Sequence, residues 1–116
     1  MVTTNINGTE YVLATSLRVA YRVQGQHNRK PYSKVFSDIG DMTIEDQIGI
    51  LFCAFQVANP SVVMTKQAFI DYYLDNMNLK VIMGQLKSVI QEITGFTDEE
   101  ASVEAPSASD ASTQGN

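Results

Sequence analysis

The run TIEDQIGILFCAFQVANP, Thr43 to Pro60, constrains the fold more than any other stretch, because it reads as a helix with a start, a stop and very little polar surface. Thr43 followed at the third position by Asp46 approximates the S/T-x-x-E box, in which side-chain oxygens satisfy the first free N–H groups. Glu45 and Asp46 suit the positive end of the helix dipole. Asn59-Pro60 ends the segment, since proline disfavours helix at the residue before it. Ile44, Ile48, Leu51, Phe52 and Phe55 recur at three- and four-residue spacing and make one apolar stripe, whereas Ile50, Cys53 and Val57 fall on a different side. Two apolar faces need two neighbours. Either this is the central helix of a small bundle, or its second face is held for something outside the chain.

The flanking segments supply such a bundle. Residues 2–13 hold two β-favouring runs around Asn7-Gly8, a strong two-residue hairpin signal because both turn positions need positive φ. Thr15 or Ser16 then caps a helix through LRVAYRVQGQ, with Leu17, Ala20 and Tyr21 on one side, Val19 and Val23 beside them, and Gly25 with the polar QHNRK run at its end. Pro31 opens a short helix closed by Gly40. Thr65 caps KQAFIDYYLDN, where Phe69, Tyr72 and Tyr73 cluster and Ile70 and Leu74 form another pair. In the last helix Leu79, Ile82, Met83, Leu86, Val89, Ile90 and Ile93 keep one stripe, and Gly95 stops it. The expected fold is therefore mainly α: a small bundle of about five helices with a short N-terminal β-hairpin, forming a single domain over residues 1–96. Residues 97–116 are acidic, rich in Ala and Ser and without an apolar face, so a disordered acidic tail is expected there.

A domain of this size buries an adequate core without staples. The one cysteine, Cys53, rules out a disulfide within a monomer, and with one histidine, His27, the usual zinc sets cannot be assembled. The N-terminus has no positive n-region and no segment has the length to span a bilayer, which leads to the expectation of a soluble protein in a reducing compartment. The net charge of −5 comes from the C-terminal stretch, because residues 1–96 hold eight acids and eight bases. Arg18, Arg22, Arg29, Lys30 and Lys34 make residues 18–34 locally basic, and a nucleic-acid-binding regulator is the alternative reading of that segment. No RNP, helix-turn-helix or zinc-finger signature accompanies it, so a solvated helix face is the simpler account.

Catalytic chemistry needs converging polar groups, and the pairs Asp38/Asp41 and Glu45/Asp46 sit where turn and helix-start carboxylates belong. Cys53, between Phe52 and Ala54, reads as a small buried hydrophobe rather than a nucleophile. Scattered glycines make no phosphate-cradling loop. These absences favour a binding or assembly protein without cofactor, metal or catalytic residue.

The order of pieces, INGTEYVL, SLRVAYRV, YSKVFSDIGDM, TIEDQIGILFCAF and a long last helix before an acidic tail, resembles the tail assembly chaperones of long-tailed bacteriophages, in particular the small all-helical chaperones of lactococcal-type siphophages. The likeness covers about residues 5–96 and rests on architecture rather than on an invariant motif. It implies a non-enzymatic holdase of the host bacterial cytoplasm that coats the hydrophobic tape-measure protein during tail morphogenesis, self-associates into an oligomer and is absent from the mature virion. Under it, Ile50, Cys53 and Val57, joined by Ile70 and Leu74, offer an apolar surface to a tape-measure helix or a sister subunit. The alternative is that all five are core.

Overall fold

A computed structural model describes residues 1–95; the tail expected over 97–116 lies outside the described residues. The chain is mainly helical and opens with an antiparallel hairpin, β1 (Val2–Ile6) and β2 (Thr9–Leu13). Asn7 and Gly8 adopt φ of 53° and 84°, as a two-residue primed turn demands, and Gly8 N–H donates to Asn5 Oδ1 at 3.0 Å. The resulting register sets Thr4 against Tyr11 and Val2 against Leu13. Val2, Thr4 and Ile6 face the helices, while Thr3 and Asn5 stand on the outer face.

Five α-helices follow: α1 (Leu17–Gln26), α2 (Tyr32–Ser37), α3 (Ile44–Ala58), α4 (Lys66–Asn76) and α5 (Leu79–Thr94), with a 3₁₀ turn at Ile39–Asp41. Thr43 and Thr65 cap α3 and α4 as their sequences predict, accepting from the backbone N–H groups of Asp46 and Ala68. Asn78 caps α5 in the same way through Val81 N–H, and Gly95 closes that helix at φ 75°. Ser16 occupies the N-cap of α1, but its side chain makes no capping bond. That helix runs through Gly25 rather than ending there, and the chain turns at Asn28 and Arg29, both left-handed. Gly40 lies in the 3₁₀ turn and does not close a single longer helix, because α2 has already ended at Ser37.

Helix α3 is the centre of the molecule, packed by β2, α1, α4 and α5, so that every residue from Gln47 to Phe55 is buried. This answers why so much of its circumference is apolar: both faces are core. Phe52 and Phe55 meet Phe69 at ring-centre distances of 5.3 and 5.2 Å, Phe69 stacks on Tyr73 at 4.6 Å, and Tyr11 closes edge-on against Phe55 at 5.1 Å. One contiguous core thus joins hairpin and helices. Five residues assigned to apolar stripes stand outside it: Leu17 and Tyr21 on α1, Ile44 on α3 and Leu79 on α5 are exposed, and Met83 on α5 marginally so. Leu17, Ile44 and Leu79 share one cause, since each is the first residue after an N-cap and projects past the end of the packed surface.

Candidate functional site

The five residues expected to face a partner do not form one surface. Ile50, Cys53 and Ile70 are buried, Val57 is half-buried against the core, and only Leu74 is exposed. The first three are corrected to core: α4, α1 and α5 cover the side of α3 that the sequence left unpartnered. Burial also pushes the Cys53 thiol above its usual range, against the weaker opposing effects of the Lys66 charge, a hydrogen bond with Gln26 and the Arg22 charge, and leaves it closed to solvent in the folded chain.

The apolar groups that do reach solvent lie elsewhere. On α1, Val19, Ala20 and Val23 are buried, yet Leu17 and Tyr21, one turn apart on the opposite side, are each 72% exposed. Arg18 and Arg22 repeat the same four-residue spacing beside them, and all four are solvent-facing. Tyr21 and Arg22 then form the rim of a cleft of about 310 Å³ that Gln24, Gly25 and Arg29 complete. Arg29 holds φ 62°, a conformation side-chain-bearing residues rarely adopt, and its N–H donates to Gln24 O at 2.7 Å. The left-handed turn thereby folds the Arg29 backbone back over the end of α1. Leu74 near the end of α4 and Leu79 and Met83 at the start of α5 are also exposed.

A polar cleft of about 410 Å³ gathers groups that are dispersed in sequence: His27 and Lys30 from the α1–α2 connection, and Asp38, Asp41 and Asp46 from the approach to α3. Beside it, Gln47 Nε2 donates to Ile39 O at 2.8 Å and fixes the 3₁₀ turn on α3, while Gln47 Oε1 is buried without a partner. Three carboxylates there face one lysine, and among the described residues no group of three or more His, Cys, Asp and Glu is placed to hold a metal ion. The basic residues are also divided: Arg22 and Arg29 line the α1 cleft, whereas Lys30 shares its cleft with three carboxylates.

Together these features describe a small, mainly helical protein with a closed core and an apolar, cation-flanked helix face on its surface. No protein-family model matches the chain, and neither does any curated protein or solved structure. Sequence reasoning missed the α1 face because Leu17 and Tyr21 share a four-residue spacing with core stripes. The discriminating signal was the neighbouring Val19, Ala20 and Val23 set, which alone satisfies a helix of this length, and the position of Leu17 directly after the cap.

Proposed function

We propose that the protein is a non-catalytic assembly chaperone of the phage tail type, which keeps an apolar helical client, the tape-measure protein, soluble until the tail is built around it. The observation that carries this reading is the exposed Leu17–Tyr21 pair on a helix whose other face is already satisfied by core packing. A domain gains nothing for its own stability from such a pair, whereas an amphipathic helix laid across it covers both side chains. Arg18 and Arg22 flank the pair and would meet carboxylates on the polar margin of that helix. The resemblance in the order of elements supports the same role.

The test is co-expression with a siphophage tape-measure protein, comparing wild type with a Leu17→Ser/Tyr21→Ser double variant. Both positions are exposed, so the variant should keep its helical circular dichroism while recovering far less soluble client. Client recovery equal to wild type would remove the α1 face from the mechanism. Client binding should persist or strengthen in high salt, since apolar burial is not screened; a steep loss with salt would instead support the nucleic-acid reading of residues 18–34.

A further inference from the structure

The two edges of the hairpin are treated differently by the rest of the chain. Next to the Asn7-Gly8 turn, Ile6 and Thr9 form the hydrogen-bonded pair, and alternation makes Thr4 with Tyr11 and Val2 with Leu13 the next two. Thr3 and Asn5 of β1, and Glu10 and Val12 of β2, therefore direct their N–H and C=O groups away from the hairpin. Along β2 helix α3 closes that edge. Val12 O accepts from Asn59 Nδ2 at 2.9 Å, and Ala14, next in phase, donates its N–H to Ala54 O at 3.0 Å. Along β1, no described residue hydrogen-bonds to the outward backbone of Thr3 or Asn5. That edge borders an open groove of about 480 Å³ with Met1 to Thr3 on one wall and Val81, Gly84 and Ser88 of α5 on the other; Lys80 and Glu92 also line it, and Glu92 lies 3.5 Å from the Met1 ammonium.

Edge strands are normally guarded by charge, proline or a bulge, and β1 has none of these: VTTNI is uncharged, regular in register and mostly β-branched. We propose that this edge is a self-association surface, on which β1 of a second copy pairs antiparallel about a two-fold axis, Thr3 of each copy opposite Asn5 of the other. Three observations select a second copy as occupant. The outward donors and acceptors at Thr3 and Asn5 are self-complementary under a two-fold axis, so each copy satisfies the other's. The wall beside the edge is recessed at Gly84, where an added Cβ would meet nothing within 4 Å, leaving room for an incoming strand over α5. Exposed Val81 and Met1 would be covered in the same step. The chain's own residues 97–116 fit less well, being rich in Ala, Ser and carboxylates and poor in β-branched residues. Because α3 closes the other edge, each subunit has one open edge to offer, and pairing ends at a four-stranded dimer rather than a filament.

Sedimentation of the full chain over a wide concentration range, with amide exchange at matched concentrations, tests this independently of any client. Wild type should be a dimer in which the Thr3 and Asn5 amides exchange slowly when concentrated and quickly on dilution. Thr3→Pro removes an outward N–H that serves no hairpin bond, and Gly84→Arg fills the groove at an exposed helical site where a side chain favours the helix. Each should raise the dimer Kd at least about tenfold with circular dichroism unchanged. Should Thr3→Pro unfold the hairpin, Gly84→Arg and the exchange data decide. A wild type that is monomeric throughout, or a dimer that persists undiminished in Gly84→Arg, overturns the proposal. Concentration-independent protection of Thr3 and Asn5 also overturns it and assigns the edge to another segment of the same chain.

Discussion

The Thr4 hydroxyl lies 2.7 Å from the Tyr73 hydroxyl inside the core, and the Tyr73 O–H in turn donates to Gln85 Oε1 at 2.7 Å. Since the phenol proton is committed to Gln85, Thr4 is the donor to Tyr73. This relay runs from β1 through α4 to α5 and pins the hairpin to both helices at one point. Thr4 is the one buried polar residue of β1, and its burial is tolerable because its hydroxyl is paired. Tyr73→Phe leaves that hydroxyl without its acceptor, and a loss of about 1–3 kcal/mol in urea denaturation is expected. Thr4→Val/Tyr73→Phe removes both polar ends and should lose less than the sum of the single changes. Additive losses would show that the two hydroxyls do not act as a unit.

Ile50→Asp and Leu51→Asp should behave alike. Both side chains are fully enclosed, on adjoining sides of α3, and an unpaired carboxylate at either site costs several kcal/mol, on the order of the whole stability of a small domain. Both variants should lose cooperative thermal unfolding. A folded Ile50→Asp protein would return the second face of α3 to the surface and reopen it as a partner site.

The legible parts of this fold were those set by local chemistry. Asn7-Gly8, Thr43, Thr65 and Gly95 each state their backbone role through their own side chain or its absence, and the structure uses them so. The assignment of α3 was legible too, but the destination of its second face was not, because periodicity reports which residues share a side and not what covers it. Leu17, Ile44 and Leu79 went astray for a related reason: a residue at the first helical position fits the apolar rhythm yet sits beyond the neighbouring elements. Asn59 and Gln47 were unreadable in advance, since their roles are long-range hydrogen bonds that bridge elements.

Stability should fall at alkaline pH for a specific pair of groups. Burial raises the pKa of the Cys53 thiol and of the Tyr73 phenol above their usual 9.0 and 10.0, partly opposed at Tyr73 by its hydrogen bonds with Thr4 and Gln85. Both are neutral when protonated. The unfolded chain therefore ionises first as pH rises, so stability is intact below about pH 9 and declines above it. Melting temperature should be level between neutral pH and that point and then drop, and Cys53→Ala should flatten the first part of the decline. Native Cys53 should likewise resist thiol reagents until denaturant opens the core, its labelling rate tracking unfolding. Labelling as fast as that of a free thiol in native buffer would contradict its burial.

Asn59 is the residue whose loss should most change how the hairpin behaves. Its Nδ2 donates at 2.9 Å to both Phe55 O, at the end of α3, and Val12 O, on the outer edge of β2. One amide thus adds a second donor to a helix-terminal carbonyl that already accepts the Asn59 backbone N–H, and seals a strand edge. Asn59→Ala removes both bonds and should cost about 1–2 kcal/mol, because each is partly solvated and water recovers some of the loss. Asn59→Asp should cost more, since a carboxylate oxygen replaces the donor and faces two carbonyl oxygens. In either variant β2 acquires an outward acceptor beside the remaining Ala14–Ala54 bond, so the sheet has a second, partly open edge. Light scattering should then show species larger than any wild-type assembly, growing with concentration. If Asn59→Asp loses stability without such growth, the Ala14–Ala54 bond and the body of α3 are sufficient to keep that edge closed.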